Sequence, residues 1–125
     1  MVVLPAPPAP THDLGGSRFT SLATPSRGST AVAVWGVVID PSAPPSPPHS
    51  LTRGEVFVVL EGVADVFING TKETAKPGDA IAIPADVVFA IGNGGAGELR
   101  LVCCCPLGSE VRTDDGETFT PPWAQ

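Results

Sequence analysis

Alternation with a period of two, interrupted every few residues by glycine or proline, marks this chain as all-β. No window of useful length carries an apolar stripe at helical spacing. Short β-branched and aromatic runs recur at close intervals with turn residues between them, the pattern of a sandwich or barrel. The 14 glycines and 15 prolines would suggest disorder in a chain without apolar runs, but 42% of these residues are apolar and the turn-formers fall between the runs. A length of 125 residues suits one domain.

The elements follow in order. The start, MVVLPAPPAP, is too proline-rich for a regular core element, so residues 1–16 are expected as a flexible arm and 17–125 as the barrel domain. A short strand is predicted over 18–23 and a long one over 30–39, where TAVAVWGVVI is almost wholly apolar. Five prolines within 40–48 make that stretch an extended loop. A short edge segment at 49–52 leads to strands at 55–60 and 63–68. Asn69-Gly70 is a type I′ hairpin signal, and 71–75 is the returning strand. Lys76-Pro77-Gly78-Asp79 is a turn, and strands at 80–83 and 87–91 flank the turn at 84–86. A glycine-rich loop over 92–97 precedes a final long strand at 98–105, and the tail from 106 is turn-rich.

The net charge of −6 and the seven scattered basic residues argue against a nucleic-acid partner, because phosphate binding needs clustered Lys and Arg. No apolar run approaches the roughly 18 residues that span a bilayer. The first residues lack the basic and continuous apolar regions of a secretory signal, so a cytoplasmic location is expected. The three cysteines are consecutive, Cys103 to Cys105. Neighbours on a strand face opposite ways, and Cys103 and Cys105 lie about 7 Å apart, too far for an easy bridge. They are expected as reduced thiols, either small apolar core residues or chemically active ones.

Two spaced groups of residues stand out. The first runs Ala43, five residues, His49-x-Leu51, three residues, Glu55, six residues, Gly62; the second runs Gly78, five residues, Pro84-x-Asp86, two residues, Phe89, three residues, Asn93. Together they resemble the two motifs of the cupin family, over about residues 30–105. The family has Gly at position 43, His at 51, Gly at 86 and His at 89. The resemblance implies a double-stranded β-helix, or jelly-roll barrel, with His49 and Glu55 pointing into its open end. It also implies that of four usual metal ligands only His49 and Glu55 remain, because Leu51 and Phe89 have no lone pair to give. An exposed outer sheet face and open edges favour a homodimer, as is common in the family.

With two histidines and no tyrosine, proton chemistry has few carriers. His49 and Glu55 are the candidate catalytic pair, with His49 as base or acid and Glu55 orienting it; the alternative is a buried hydrogen-bonded remnant of a metal site. Inward parity from Glu55 adds Phe57 and Val59. Leu101, Cys103 and Cys105 share the apolar face of the last strand. With Trp35, Leu51, Phe89 and Ile91 these residues form the expected pocket lining, and Arg53 at the rim is a candidate clamp for an anion. Asp86 is expected to tolerate the turn dihedral of the glycine it replaces. Three functions follow. The first is a small enzyme using no cofactor for isomerisation, dehydration or cyclisation of a small molecule. The second is a metal-dependent, oxygenase-type cupin, with one divalent transition metal on His49, Glu55 and a third group from His12 or a cysteine thiol. The third is a non-catalytic small-molecule-binding module.

Overall fold

Among the described residues, 2–125 in this computed structural model, twelve strands and two single turns of 3-10 helix make up the regular structure. The strands are β1 (His12–Leu14), β2 (Ser17–Ala23), β3 (Val32–Ile39), β4 (His49–Leu51), β5 (Glu55–Glu61) and β6 (Ala64–Ile68). They continue as β7 (Thr71–Ala75), β8 (Ala80–Ile83), β9 (Ala90–Asn93), β10 (Leu99–Pro106), β11 (Val111–Thr113) and β12 (Thr118–Phe119). All pairs are antiparallel. One layer is the six-stranded sheet β1-β2-β3-β10-β5-β8. The other is two short sheets, β12-β11-β4 and β7-β6-β9, stitched by reciprocal backbone bonds between His49 and Phe89 of 2.9 and 2.8 Å. This is the jelly-roll arrangement, with the core between the layers.

The alternation read from sequence becomes burial. Along β3 and β10 every second residue is buried: Ala33, Trp35, Val37 and Ile39 lie beside Cys105, Cys103, Leu101 and Leu99 on the inner face of the sheet. From the opposite layer Leu51, Val66, Phe89 and Ile91 close the same cluster. Packing of this kind, rather than strand propensity, holds such sheets together.

Turns behave as their residues demand. Asn69 and Gly70 both have positive φ, +52° and +76°, as the tight β6–β7 hairpin requires. Asp86 takes φ +63° in place of a glycine. At Gly62, which ends the first motif, φ is +85° and a Cβ would lie 2.4 Å from the Glu98 carbonyl oxygen, so no other residue fits without shifting β10.

Three expectations are corrected at the ends of elements. The segment expected as an arm contributes β1, paired with β2 through His12 and Phe19, so the barrel begins before residue 17. The tail forms β11 and β12, with β11 pairing with β4. The strand expected over 87–91 is β9, which begins three residues later and ends two later, with Phe89 outside it and paired by an isolated bridge to His49. In each case pairing partners distant in sequence decided the ends, which local alternation does not encode. No helix among the described residues is long and apolar enough to cross a membrane.

Candidate functional site

A cavity of about 500 Å³ opens at one end of the barrel. Its floor comes from the large sheet: Trp35, Val37 and Ile39 of β3, Phe57 of β5, and Leu101 and Cys103 of β10. The proline-rich loop before β4 forms one wall, with Pro44, Pro45 and Pro47. Phe19 of β2 and the C-terminal residues Phe119, Pro121 and Trp123 form another. Trp123 stacks on Phe19 with ring centres 3.7 Å apart and planes 7° from parallel. His49, with its pKa lowered, and Glu55, with its pKa raised, reach this apolar space.

His49 is set by its neighbours in chain and space. Its backbone pairs with Phe89, and its ring lies 4.4 Å from the Phe89 ring. Phe89 in turn packs edge-on to Phe57 at 5.8 Å. The aromatic at the fourth motif position thus braces the histidine. The His49 Nδ1 lies 2.8 Å from the Pro47 carbonyl oxygen. A carbonyl only accepts, so Nδ1 carries the hydrogen and Nε2 is the free nitrogen. Burial lowers the His49 pKa below its ordinary 6.5, although the Pro47 contact opposes this, so the ring is neutral near pH 7.

Glu55 begins β5 directly after Gly54, whose φ of +82° turns the chain under the Ile83 carbonyl. Its side chain is directed inward and the residue is 8% exposed. Burial alone pushes its pKa up to about 8, with no cation and no hydrogen bond among the described residues to offset it. The carboxyl is therefore mostly protonated at neutral pH. The expected hydrogen bond between His49 and Glu55 does not form; the Pro47 carbonyl orients the histidine instead. Cys103 lies on the same inner surface, and burial followed by the Glu55 charge pushes its thiol well above its usual range.

Of the residues expected around the pocket, Trp35, Phe57, Ile91, Leu101 and Cys103 line the cavity with His49 and Glu55. Leu51, Val59 and Phe89 do not. They are 1%, 0% and 1% exposed and form the packed core behind the wall, because the facing layer closes over them. Cys105 lies beyond the cavity, on a smaller hollow of about 290 Å³ near the C-terminus. Arg53 is exposed and turned away, its guanidinium donating to the Leu107 carbonyl at 3.2 Å. His12, considered as a metal ligand, instead has Nδ1 2.9 Å from the Thr11 hydroxyl, outside the cavity wall. The contributions of Phe19, Phe119 and Trp123 were missed. The closing PPWAQ was legible as an aromatic in an otherwise turn-rich tail, but nothing local says where it packs.

The donor set does not fit a metal. Leu51 and Phe89 supply no ligand, burial pushes the Cys103 and Cys105 thiols upward, and no group of three His, Cys, Asp or Glu among the described residues is placed to hold an ion.

The family model of the cupin domain matches residues 35–105. The polyketide cyclase RemF from Streptomyces resistomycificus is similar in structure, with a TM-score of 0.73 and 22% identity, covering 89% of this chain and 80% of that one. A cupin-like protein from Thermotoga maritima matches with a TM-score of 0.66 and 27% identity over 74% of this chain and 69% of that one. KdgF from Halomonas sp. matches with a TM-score of 0.63 and 23% identity over 83% and 90%. These likenesses establish a shared fold. No curated protein matches the chain.

Proposed function

The chain belongs to the cupin family, and within it we propose an enzyme that performs acid–base chemistry on a small organic molecule bound in the cavity, without a resident metal. The observation that carries this reading is Glu55, a carboxyl with a pKa raised to about 8 by burial, sharing an apolar cavity with a neutral histidine. Pairs of groups whose environments set them to opposite tasks are a mark of acid–base sites. His49 Nε2 takes a proton from the substrate, and the Glu55 O–H gives one to a substrate carbonyl or hydroxyl oxygen. One proton leaves and one arrives, which is the balance of an isomerisation, a dehydration or a ring-closing condensation. The Pro47 carbonyl stabilises the imidazolium that forms on His49.

The cavity is the kind of space that holds a small ligand: it is concave, mostly apolar and has few polar groups. A cytoplasmic setting and a homodimer formed through the outer face of the large sheet belong to the same proposal.

The test is a comparison of His49→Gln and Glu55→Gln with the wild type for binding and turnover of the same compound. Both variants should bind it and fail to convert it. Turnover that survives both substitutions, or that needs an added transition metal and vanishes with a chelator, sinks the reading.

A further inference from the structure

The lining of the cavity also carries information about what it holds. Resting on the acid–base reading above, we propose that the ligand is a flat, uncharged ring compound of two or more fused rings bearing an oxygen, and not a sugar, a carboxylate or a phosphate ester.

Size comes first. About 500 Å³ lies within the range of sites that enclose a drug-sized molecule and exceeds what a single small ring needs. Charge comes second. No Lys or Arg lines the cavity, and Arg53, the one cation expected there, is bonded to the Leu107 carbonyl outside it. An anion in this space would lose its hydration with no partner to replace it.

Polarity comes third. A sugar needs a donor or acceptor for nearly every hydroxyl. Two of the polar side chains on the wall are already engaged: Ser46 Oγ accepts from the Ile91 amide at 3.0 Å, and Thr113 is bound within its own turn to Asp115. Glu55, His49 Nε2 and Ser17 remain, enough to fix one or two oxygens.

Shape comes last. The Phe19–Trp123 stack is a slab two rings thick, and prolines stand on another wall. Rings and prolines lose little freedom when a ligand arrives, so a flat molecule can lie against them at low entropic cost. Offset stacking adds to the burial.

The probes are 2-naphthol, 2-naphthoate and glucose, titrated calorimetrically into the full chain. Naphthol should bind saturably, naphthoate at least tenfold more weakly, and glucose not at all. Trp123→Ala should weaken naphthol roughly fivefold or more, as losing a stacking partner does. Trp123→Phe, which keeps a ring and spares the fold, should retain most of the affinity.

Naphthoate or glucose binding as tightly as naphthol overturns the proposal, as does a lack of saturable naphthol binding up to its solubility limit. The two readings fail separately. Fused-ring binding in a protein whose His49→Gln and Glu55→Gln variants lose no turnover upholds the ligand class and removes the chemistry. A sugar or anion whose conversion those variants abolish upholds the chemistry and overturns the ligand class.

Discussion

Glu55 and Glu98 are glutamates attached to neighbouring strands of one sheet, and the fold treats them in opposite ways. Glu98, just before β10, is part of a surface chain of charges. It accepts from Arg18 at 2.7 Å and from Arg100 at 3.3 Å; Arg18 also meets Asp40 at 3.0 Å and Arg100 meets Glu61 at 2.8 Å. Glu55, at the start of β5, is buried in an apolar cavity with no cation beside it. Pairing is placed where water would have solvated the charges anyway, and such pairs contribute little. The carboxyl that most needs a partner has none. A fold retains such a group at a cost in stability, and the cost makes the group chemically useful.

The largest expected effect is on turnover. Glu55→Gln keeps the shape and removes the acid, so turnover should fall about 100- to 10,000-fold with ligand binding retained, the range of general acid–base catalysis. Equal turnover would erase the contrast between the two glutamates.

Next in size is the pH dependence of stability. A glutamate in the unfolded chain titrates near 4.5, and Glu55 in the fold near 8. Between these values the folded protein holds a proton that the unfolded chain has released. Stability from this group is therefore complete below pH 4.5 and falls as pH rises towards 8, by an amount on the order of 5 kcal/mol. His49 acts in the other direction, since its lowered pKa costs stability as pH drops below 6.5. Subtracting the denaturant-unfolding profile of Glu55→Gln from that of the wild type isolates the glutamate term. A flat difference between pH 5 and 9 would mean that the carboxyl is solvated and ionised.

Phe89→Ala should cost about 3–5 kcal/mol, because it removes a large core side chain and the brace against His49. Chemical denaturation gives the cost. A histidine resonance that titrates closer to its ordinary range would report the loosened ring.

The smallest effects belong to the surface network. Arg100→Ala or Glu98→Gln should change the melting temperature less than any cavity variant, and raising the salt should remove what change there is. A change as large as that from Phe89→Ala would show that the exposed charges carry structure after all.

Much of the framework was readable along the chain. The positions of β3, β5 to β8 and β10 follow from alternation, and the Asn69-Gly70 hairpin and the Asp86 turn follow from residue chemistry. The cupin resemblance of the residues around His49 and Glu55 implied that both point into one barrel opening, and both line the cavity. Alternation and turn chemistry are local properties, since a strand shows its inner face with a period of two and a turn shows its dihedral through the residues that can adopt it.

Alternation says that a side chain points inward, but not whether the interior there is filled or empty. Phe57 and Val59 share a face of β5, yet Phe57 lines a cavity and Val59 is sealed in the core. What lies opposite decides this, and it comes from remote parts of the chain. For the same reason the tertiary structure alone placed Trp123 against Phe19 and Phe89 against His49, whereas the Pro47 carbonyl that His49 meets instead of Glu55 lies only two residues away. The sequence determined which groups are present and which way each strand faces. Only the folded barrel decided which of them meet, because a contact between distant residues depends on how the whole chain closes and not on any local pattern.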